Sequence, residues 1–322
     1  MNRWTLAIAL VGLLTPSLPA SADDYPSRPS HAIASQGPGG LSDLFMRALG
    51  DQLGPALGTS IVVEDRAGAD GTVGAKACAD ATPDGYTICI ITDQALVINP
   101  FLPGADFDPS KTLVPIARPY YLTQMFAIDA ALGVKTFPEL AALIKSKPGS
   151  FNYMAASLSK VAFMQEFNQR NGTDVVRLPF KGGGDAVNAM LNGTTQIAIF
   201  GIGNLISYIQ AGKIIGLAID GDQRSPLDPS IPTFKETGYT KHIGATFFGI
   251  MAPKGTPAPI IDKLNKAIVA IESKPDFQQK FLISRGLTPS LESPEQFAKE
   301  LIDDRTEGLS VVKASGLYPD VK

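Results

Sequence analysis

Short apolar runs alternate with longer amphipathic stretches along nearly the whole chain, and that alternation limits the available folds more than any other feature. Runs at His31–Ser35, Ile61–Glu64, Thr87–Thr92, Met125–Asp129, Phe151–Ala155, Val175–Pro179, Gln196–Phe200, Ile214–Ile219 and Phe247–Ala252 read as strands. Helical patterns with recognisable ends lie between them. Ser42 is placed to cap the first, whose stripe Phe45, Ala48, Leu49 and Leu53 stops at Gly54-Pro55. Pro138 suits the first turn of a helix reaching Lys145, and Ser293-Pro294-Glu295-Gln296 reads as a capping box opening a long C-terminal helix. Strands alternating with helices predict α/β units around a largely parallel sheet covered on both faces.

Ligands of such sheets collect at the carboxyl ends of the strands, where the βα turns gather. Turns rich in small and polar residues occur at 35–42, 67–71, 92–94, 156–159, 181–184 and 201–204. For each taken singly, ordinary turn chemistry is the alternative. The most informative is Gly37-Pro38-Gly39-Gly40-Leu41-Ser42-Asp43. A glycine-rich strand-to-helix turn lets a ligand approach the backbone and leaves first-turn amides available. Those amides and the positive end of the helix dipole favour an anion such as a carboxylate.

The start of the chain orders a basic Met1-Asn2-Arg3, an apolar Trp4–Leu14 and a small-residue Ala20-Ser21-Ala22. That order predicts a secretory signal peptide cleaved after Ala22. Its apolar run is shorter than the ~20 residues that span a bilayer. With a net charge of −3 and no basic tract, the chain offers no footprint for nucleic acid and no polybasic membrane patch. Cys78 falls in a helical stretch and Cys89 in the following strand. Export permits a bridge between them, but helix-to-sheet spacing is usually too wide, so two buried thiols are the favoured reading.

Reactive constellations are missing from the sequence. The two histidines, His31 and His242, stand in unrelated contexts, and His31 at a strand start reads as structural. There is no G-x-S-x-G elbow, H-E-x-x-H helix or Cys/His metal spacing, and Lys181-Gly182-Gly183-Gly184 lacks the Walker order. No carboxylate pair is set in an apolar context that would separate their pKa values. Binding without turnover is what remains.

A longer set of segments carries a family resemblance. Tyr25-Pro26-Ser27-Arg28-Pro29, Pro38-Gly39-Gly40-Leu41-Ser42-Asp43, Val62-Val63-Glu64-Asp65-Arg66-Ala67-Gly68-Ala69-Asp70-Gly71 and Pro83-Asp84-Gly85-Tyr86-Thr87 come first. Phe180-Lys181-Gly182, Ile231-Pro232-Thr233, Glu236-Thr237-Gly238 and Ala252-Pro253-Lys254-Gly255-Thr256-Pro257 follow. In this order the chain, from Tyr25 to near Leu317, resembles the extracytoplasmic solute receptors of tripartite tricarboxylate transporters, the Bug proteins. The resemblance implies an α/β, periplasmic binding protein-like fold of type II, the Venus flytrap. Two doubly wound α/β domains would be joined by two crossing strands, near Tyr120–Met125 and Gly244–Gly249. After a signal peptide at 1–22, domain 1 would comprise 23–122 and 246–322, and domain 2 would comprise 123–245.

The function implied is capture of a small carboxylate, di- or aromatic among the options, between the domains and its delivery to membrane permease subunits. The resemblance implies a periplasmic monomer with no catalytic residue, metal, cofactor or nucleic-acid partner. The acid would be held by Ser35, Gln36, Gly39, Gly40, Ser42 and Asp43, with Gly68, Ala69, Thr92, Asp93 and Gln94 lining the same side. From the other domain would come Ser157, Ser159, Phe180, Lys181, Gly182, Gly201 and Asn204. Lys181 either adds a counter-charge or points to solvent.

Several positions depart from the family pattern. Ser35-Gln36 stands where Pro-Phe is usual, Met154–Lys160 is shorter and lacks a histidine, Thr246-Phe247-Phe248 replaces a tryptophan region, and Phe200-Gly201 stands where an aspartate is common. The last of these weighs against an amino-acid ligand. An exported α/β enzyme acting on a carboxylate, an orphan receptor or sensor, and a receptor-derived interaction protein are the rival readings.

Overall fold

The computed structural model of the chain describes residues 25–155, 157–178, 183–221, 223–239, 246–315 and 317–318. The chain begins with β1 (Ser30–Ala34), α1 (Leu41–Leu57), β2 (Ile61–Asp65), α2 (Thr72–Ala79) and β3 (Thr87–Thr92). A one-turn helix, α3 (Pro109–Thr112), leads into β4 (Leu113–Leu122), and after Thr123 comes β5 (Gln124–Asp129). Then follow α4 (Phe137–Ser146), β6 (Asn152–Ala155), α5 (Leu158–Asn171), β7 (Val176–Arg177), α6 (Gly183–Leu191), β8 (Ile197–Gly201), α7 (Ile202–Gln210) and β9 (Ile214–Ile219). The last part holds β10 (Phe247–Pro253), α8 (Ala258–Glu272), α9 (Pro275–Phe277), β11 (Leu287–Pro289) and α10 (Pro294–Ala314).

Among the described residues the strands form two sheets, one ordered β11-β4-β10-β3-β1-β2 and one ordered β7-β6-β8-β5-β9. Each sheet with its helices forms a lobe. In the first, α1 and α8 bury Phe45, Leu49, Leu53, Leu264 and Ile268 on one face, while α2 and α10 bury Ala75, Cys78, Phe297 and Val312 on the other. In the second, α4 and α5 cover one face with Leu140, Ile144, Met164 and Phe167, and α6 and α7 cover the other with Met190, Ile202 and Leu205. Each such aliphatic or aromatic side chain contributes roughly 1.5–3 kcal/mol when fully buried.

The sheets are mixed rather than largely parallel. β1 runs parallel to β2 and β3, but β10 is antiparallel to β3 and β4. Likewise β6 runs parallel to β7 and β8, and β5 is antiparallel to β8 and β9. Parallel neighbours need a local crossover that returns the chain to the same end. β5 is instead reached directly from a strand of the other sheet.

β4 is a strand that periodicity misses. It carries Pro115 and Pro119, which cannot donate to a ladder, and Arg118, which breaks the apolar run. It survives because its register against β10 shifts around them, with Phe248 opposite Tyr120, Ile250 opposite Ala117 and Met251 opposite Pro115. Arg118, 1% exposed, lies between the Phe247 and Phe297 rings and meets Glu292, Glu300 and Asp304 at 3.4, 3.5 and 3.0 Å.

Two helix ends also differ from expectation. α1 is capped by Gly40, not Ser42, and it continues past Pro55 to Leu57 before Gly58 turns left-handed at φ 76°. A proline that sits in a helix's last turn ends it only shortly afterwards. Cys78 and Cys89 are joined in a disulfide, against the expectation of two thiols. α2 folds straight back on β3, so their Cα atoms lie 6.1 Å apart, inside the range a bridge spans. The helix ends placed at Pro138 and Ser293 agree: Thr136 Oγ1 accepts the Glu139 amide at 3.3 Å, and Ser293 Oγ accepts the Gln296 amide at 3.2 Å.

Candidate functional site

Three loops meet at the carboxyl ends of β1, β2 and β3. A Cβ on Gly74 would lie 3.0 Å from the Ser35 Cα, and a Cβ on Gly71 would collide with the Thr92 hydroxyl. The second loop turns by four consecutive positive φ angles: Gly68 140°, Ala69 45°, Asp70 51° and Gly71 97°. Non-glycine residues there cost about 1–3 kcal/mol each unless their surroundings over-determine them. Here Thr92 Oγ1 donates to the Asp70 carbonyl at 2.7 Å, and Asn99 Nδ2 donates to the Ala69 carbonyl at 3.2 Å and to Thr72 Oγ1 at 2.9 Å. These hydrogen bonds from outside the loop hold the strained turn in place. Asn99 stands 30 residues from Ala69, and nothing in the sequence signals it.

The first loop is clasped by its own side chains. Gln36 Oε1 accepts the Ser42 amide at 3.1 Å, and Ser42 Oγ accepts the Gln36 amide at 3.1 Å. The Gly39 amide donates to Asp43 Oδ2 at 2.8 Å and the Gly40 amide to the Gly37 carbonyl at 2.9 Å. Asp43, 3% exposed, also pairs with Arg47 at 2.5 Å. The Gly39, Gly40 and Ser42 amides are therefore engaged within the loop. Among the described residues, no hydrogen bond is donated by the Leu41 and Asp43 amides at the head of α1. Beside them the Ser35 hydroxyl, on a residue 2% exposed, has no hydrogen-bond partner among the described residues.

Across from β3, the start of α5 presents Ser157 and Ser159, whose hydroxyls are 2.9 Å apart. Ser159 lines a pocket with Asp93, Gln94 and Phe247, closed on one side by Asp304 and Glu307 of α10. Ser159 is thus brought to Asp93 and Gln94. Gly201 ends β8 at the sheet edge where parallel β6 ends at Ala155, pairing with Gln124; Asn204 is exposed one turn into α7, and the adjoining Gly203 packs on the Arg285 backbone. Phe180, Lys181 and Gly182 fall outside the described residues, as do His242 and residues 1–22, where a leader is expected. His31 is exposed on β1.

Sequence reasoning missed the charged group behind this face. Lys160, 0% exposed, donates from Nζ to Ser159 Oγ at 3.2 Å and to Thr246 Oγ1 at 2.6 Å. Burial pushes its ammonium below the usual lysine range, against the pull of Asp220, Asp93 and Glu307. Burial likewise raises Asp93 to about 6 and Asp220 to about 7, with Lys160 opposing both shifts. Asp220 accepts the Gln124 amide at 2.6 Å, and Gln124 Oε1 is buried without a partner among the described residues. A lysine next to a serine-rich turn reads as a solvated helix start, yet the fold leaves it 0% exposed.

Amides, hydroxyls and side-chain amides dominate the face of these loops, a donor set suited to holding a polar anion. Among the described residues no cluster of three His, Cys, Asp or Glu could hold a metal ion. No helix among them is long and apolar enough to cross a membrane.

Residues 45–317 match the model of the tripartite tricarboxylate transporter family receptor. The chain is 30% identical to Protein BugT of Bordetella pertussis, over 98% of each chain. A solved structure described as a periplasmic transporter superposes with a TM-score of 0.79 at 30% identity, over 92% of this chain and 100% of that one. MatC from Rhodopseudomonas palustris, solved with bound malate, superposes with a TM-score of 0.74 at 25% identity, over 89% of this chain and 100% of that one.

Proposed function

Because the chain belongs to the tripartite tricarboxylate transporter receptor family, we propose that it captures a small carboxylate between its lobes and passes it to a membrane permease. Residues 23–122 with 246–322 make one lobe in this reading and 123–245 the other. The signal peptide ends at Ala22, and the mature receptor works in the periplasm as a monomer without turnover. The observation that carries the reading is the convergence of three loops on the undonated Leu41 and Asp43 amides and the unpartnered Ser35 hydroxyl. The bound malate of MatC supports an acid as the class of ligand.

A desolvated carboxylate costs several kcal/mol unless donors replace its water. Each charge-assisted hydrogen bond returns about 1.5–3 kcal/mol, so three or four support a micromolar complex near −8 kcal/mol. Ser35, Leu41 and Asp43 supply such donors from the first lobe. Gln36, Gly39, Gly40 and Ser42 shape the loop that presents them, and Gly68, Ala69 and Thr92 form its neighbouring wall. Ser157 and Ser159 add hydroxyls on closure. Gly201 puts no carboxylate at the end of β8, which favours an acid lacking an amine.

Native mass spectrometry of freshly purified protein, followed by a thermal-shift panel of di-, tri- and aromatic carboxylates against amino acids, tests this. A co-purifying acid and stabilisation by carboxylates are expected. Stabilisation by amino acids alone, or turnover of a recovered acid, overturns the reading.

A further inference from the structure

Gln124 starts β5 directly opposite Gly201, the last residue of β8. This corner lies at the junction of the lobes. Parallel β6 ends beside β8 and leads to Ser159, which shares a pocket with Asp93 and Gln94 of the first lobe. Gly203, two residues on from Gly201, packs on the Arg285 backbone. The Gln124 backbone is tied twice to Asp220, its amide to Oδ1 at 2.6 Å and its carbonyl to the Asp220 amide at 2.9 Å. Neither bond uses the side chain. Gln124 is 3% exposed, and its Oε1 is buried with no partner among the described residues. A buried amide left this way costs stability unless something else satisfies it.

Directly opposed residues place their side chains alongside each other, and Gly201 has none. A Cβ built on Gly201 would lie 3.9 Å from Gln124 Nε2 and 3.4 Å from Asn204 Nδ2, in ordinary contact with both. Its chain neighbours aside, no other described side chain comes within 4 Å of that point. The backbone does not require glycine here, because φ −56° and ψ 130° are open to any residue. Nor is glycine the best start for a helix. Gly201 is the N-cap of α7, where Ser, Thr, Asp or Asn would accept a first-turn amide, and no side chain caps it. The space over Gly201 is thus walled by side-chain amide nitrogens and the head of a nine-residue helix.

We propose that Gln124 and Asn204 set specificity by binding an uncharged carbonyl oxygen, as in a carboxamide, at the end of the ligand remote from its acid group. This deepens the receptor reading and rests on it. A ligand ammonium would meet only donors there. A second carboxylate would exchange its water for neutral amides alone. No Lys or Arg is among those contacts, and the Asp220 carboxyl is bonded to the same strand end. A carbonyl needs no counter-charge, and two amide donors satisfy its two lone pairs.

Calorimetry can compare succinamate, glutaramate and adipamate with butanoate, pentanoate and hexanoate, which end in a methyl group, and with succinate, glutarate and adipate. The monoamide that fits best should bind at least about tenfold more tightly than the monoacid and the diacid of its length, the return from one or two neutral hydrogen bonds. Gln124→Leu should erase that preference. Gly201→Asp serves if the first variant fails to fold, since aspartate suits an N-cap and would itself take the amide donors. A substitution that only loosened the lobe would weaken both ligands alike and keep their ratio. A parent chain that binds monoacids as tightly as monoamides, or prefers diacids, overturns the inference, as does a preference that survives in a folded variant. Those outcomes leave the carboxylate reading standing, whereas binding of no acid at all ends both.

Discussion

The loop cluster of the first lobe and the α5 face of the second are built in opposite ways. In the cluster, side chains of the loops themselves hold the backbone: Gln36 with Ser42, Asp43 with Gly39, Thr92 and Asn99 with the left-handed Ala69–Asp70 turn. The Cys78–Cys89 bridge ties α2 to β3 just beneath. On the α5 face the polar groups are bonded to a neighbour hydroxyl or to residues outside the lobe, as Lys160 is to Thr246. One side is prebuilt within its lobe, and the other is completed by the partner lobe. A receptor of this design should lose stability when the first is damaged and shift its opening equilibrium when the second is.

Substitutions that break or sharpen this contrast rank by expected size. Gly71→Val forces a β-branched residue to φ 97° and into Thr92; urea unfolding should show a loss of about 3 kcal/mol or more, together with loss of carboxylate-induced thermal shift. Replacing both cysteines, Cys78→Ala with Cys89→Ala, releases an 11-residue separation and should cost about 2–3 kcal/mol in the same assay. Asp43→Ala removes the Arg47 pair and the acceptor of the Gly39 amide, at about 1–3 kcal/mol and with weaker acid binding by calorimetry. Gln36→Ala frees the Ser42 amide and should cost about 1 kcal/mol, as loss of a helix cap does. Ser159→Ala should leave unfolding within about 0.5 kcal/mol of the parent while weakening the carboxylate-induced thermal shift. If Ser159→Ala destabilised as much as Asp43→Ala, the contrast between the two faces would be wrong.

Much of the fold is legible in the residues. The strand cores from Ala32 to Ala252 announce themselves by apolar runs, and Ser293 and Pro138 mark helix starts. β4 does not, because Pro115, Arg118 and Pro119 disguise it, and only pairing with β10 on one side and β11 on the other makes it a strand. In the site, the glycine turn and the Ala67–Gly71 loop are visible as composition. Their actual donors are not, since which amides remain undonated depends on where the Gln36 and Asp43 side chains fold back.

The alternation of apolar runs and helices, with glycines at strand ends, determined by itself that this chain makes α/β units with a polar loop face. That is local physics: periodicity selects the element, and positive φ selects glycine. The assembly of two mixed sheets, the bridge between Cys78 and Cys89, and the burial of Lys160 were decided only in three dimensions. Each depends on segments far apart in the chain coming close enough to exclude water, and no local pattern encodes such a distance.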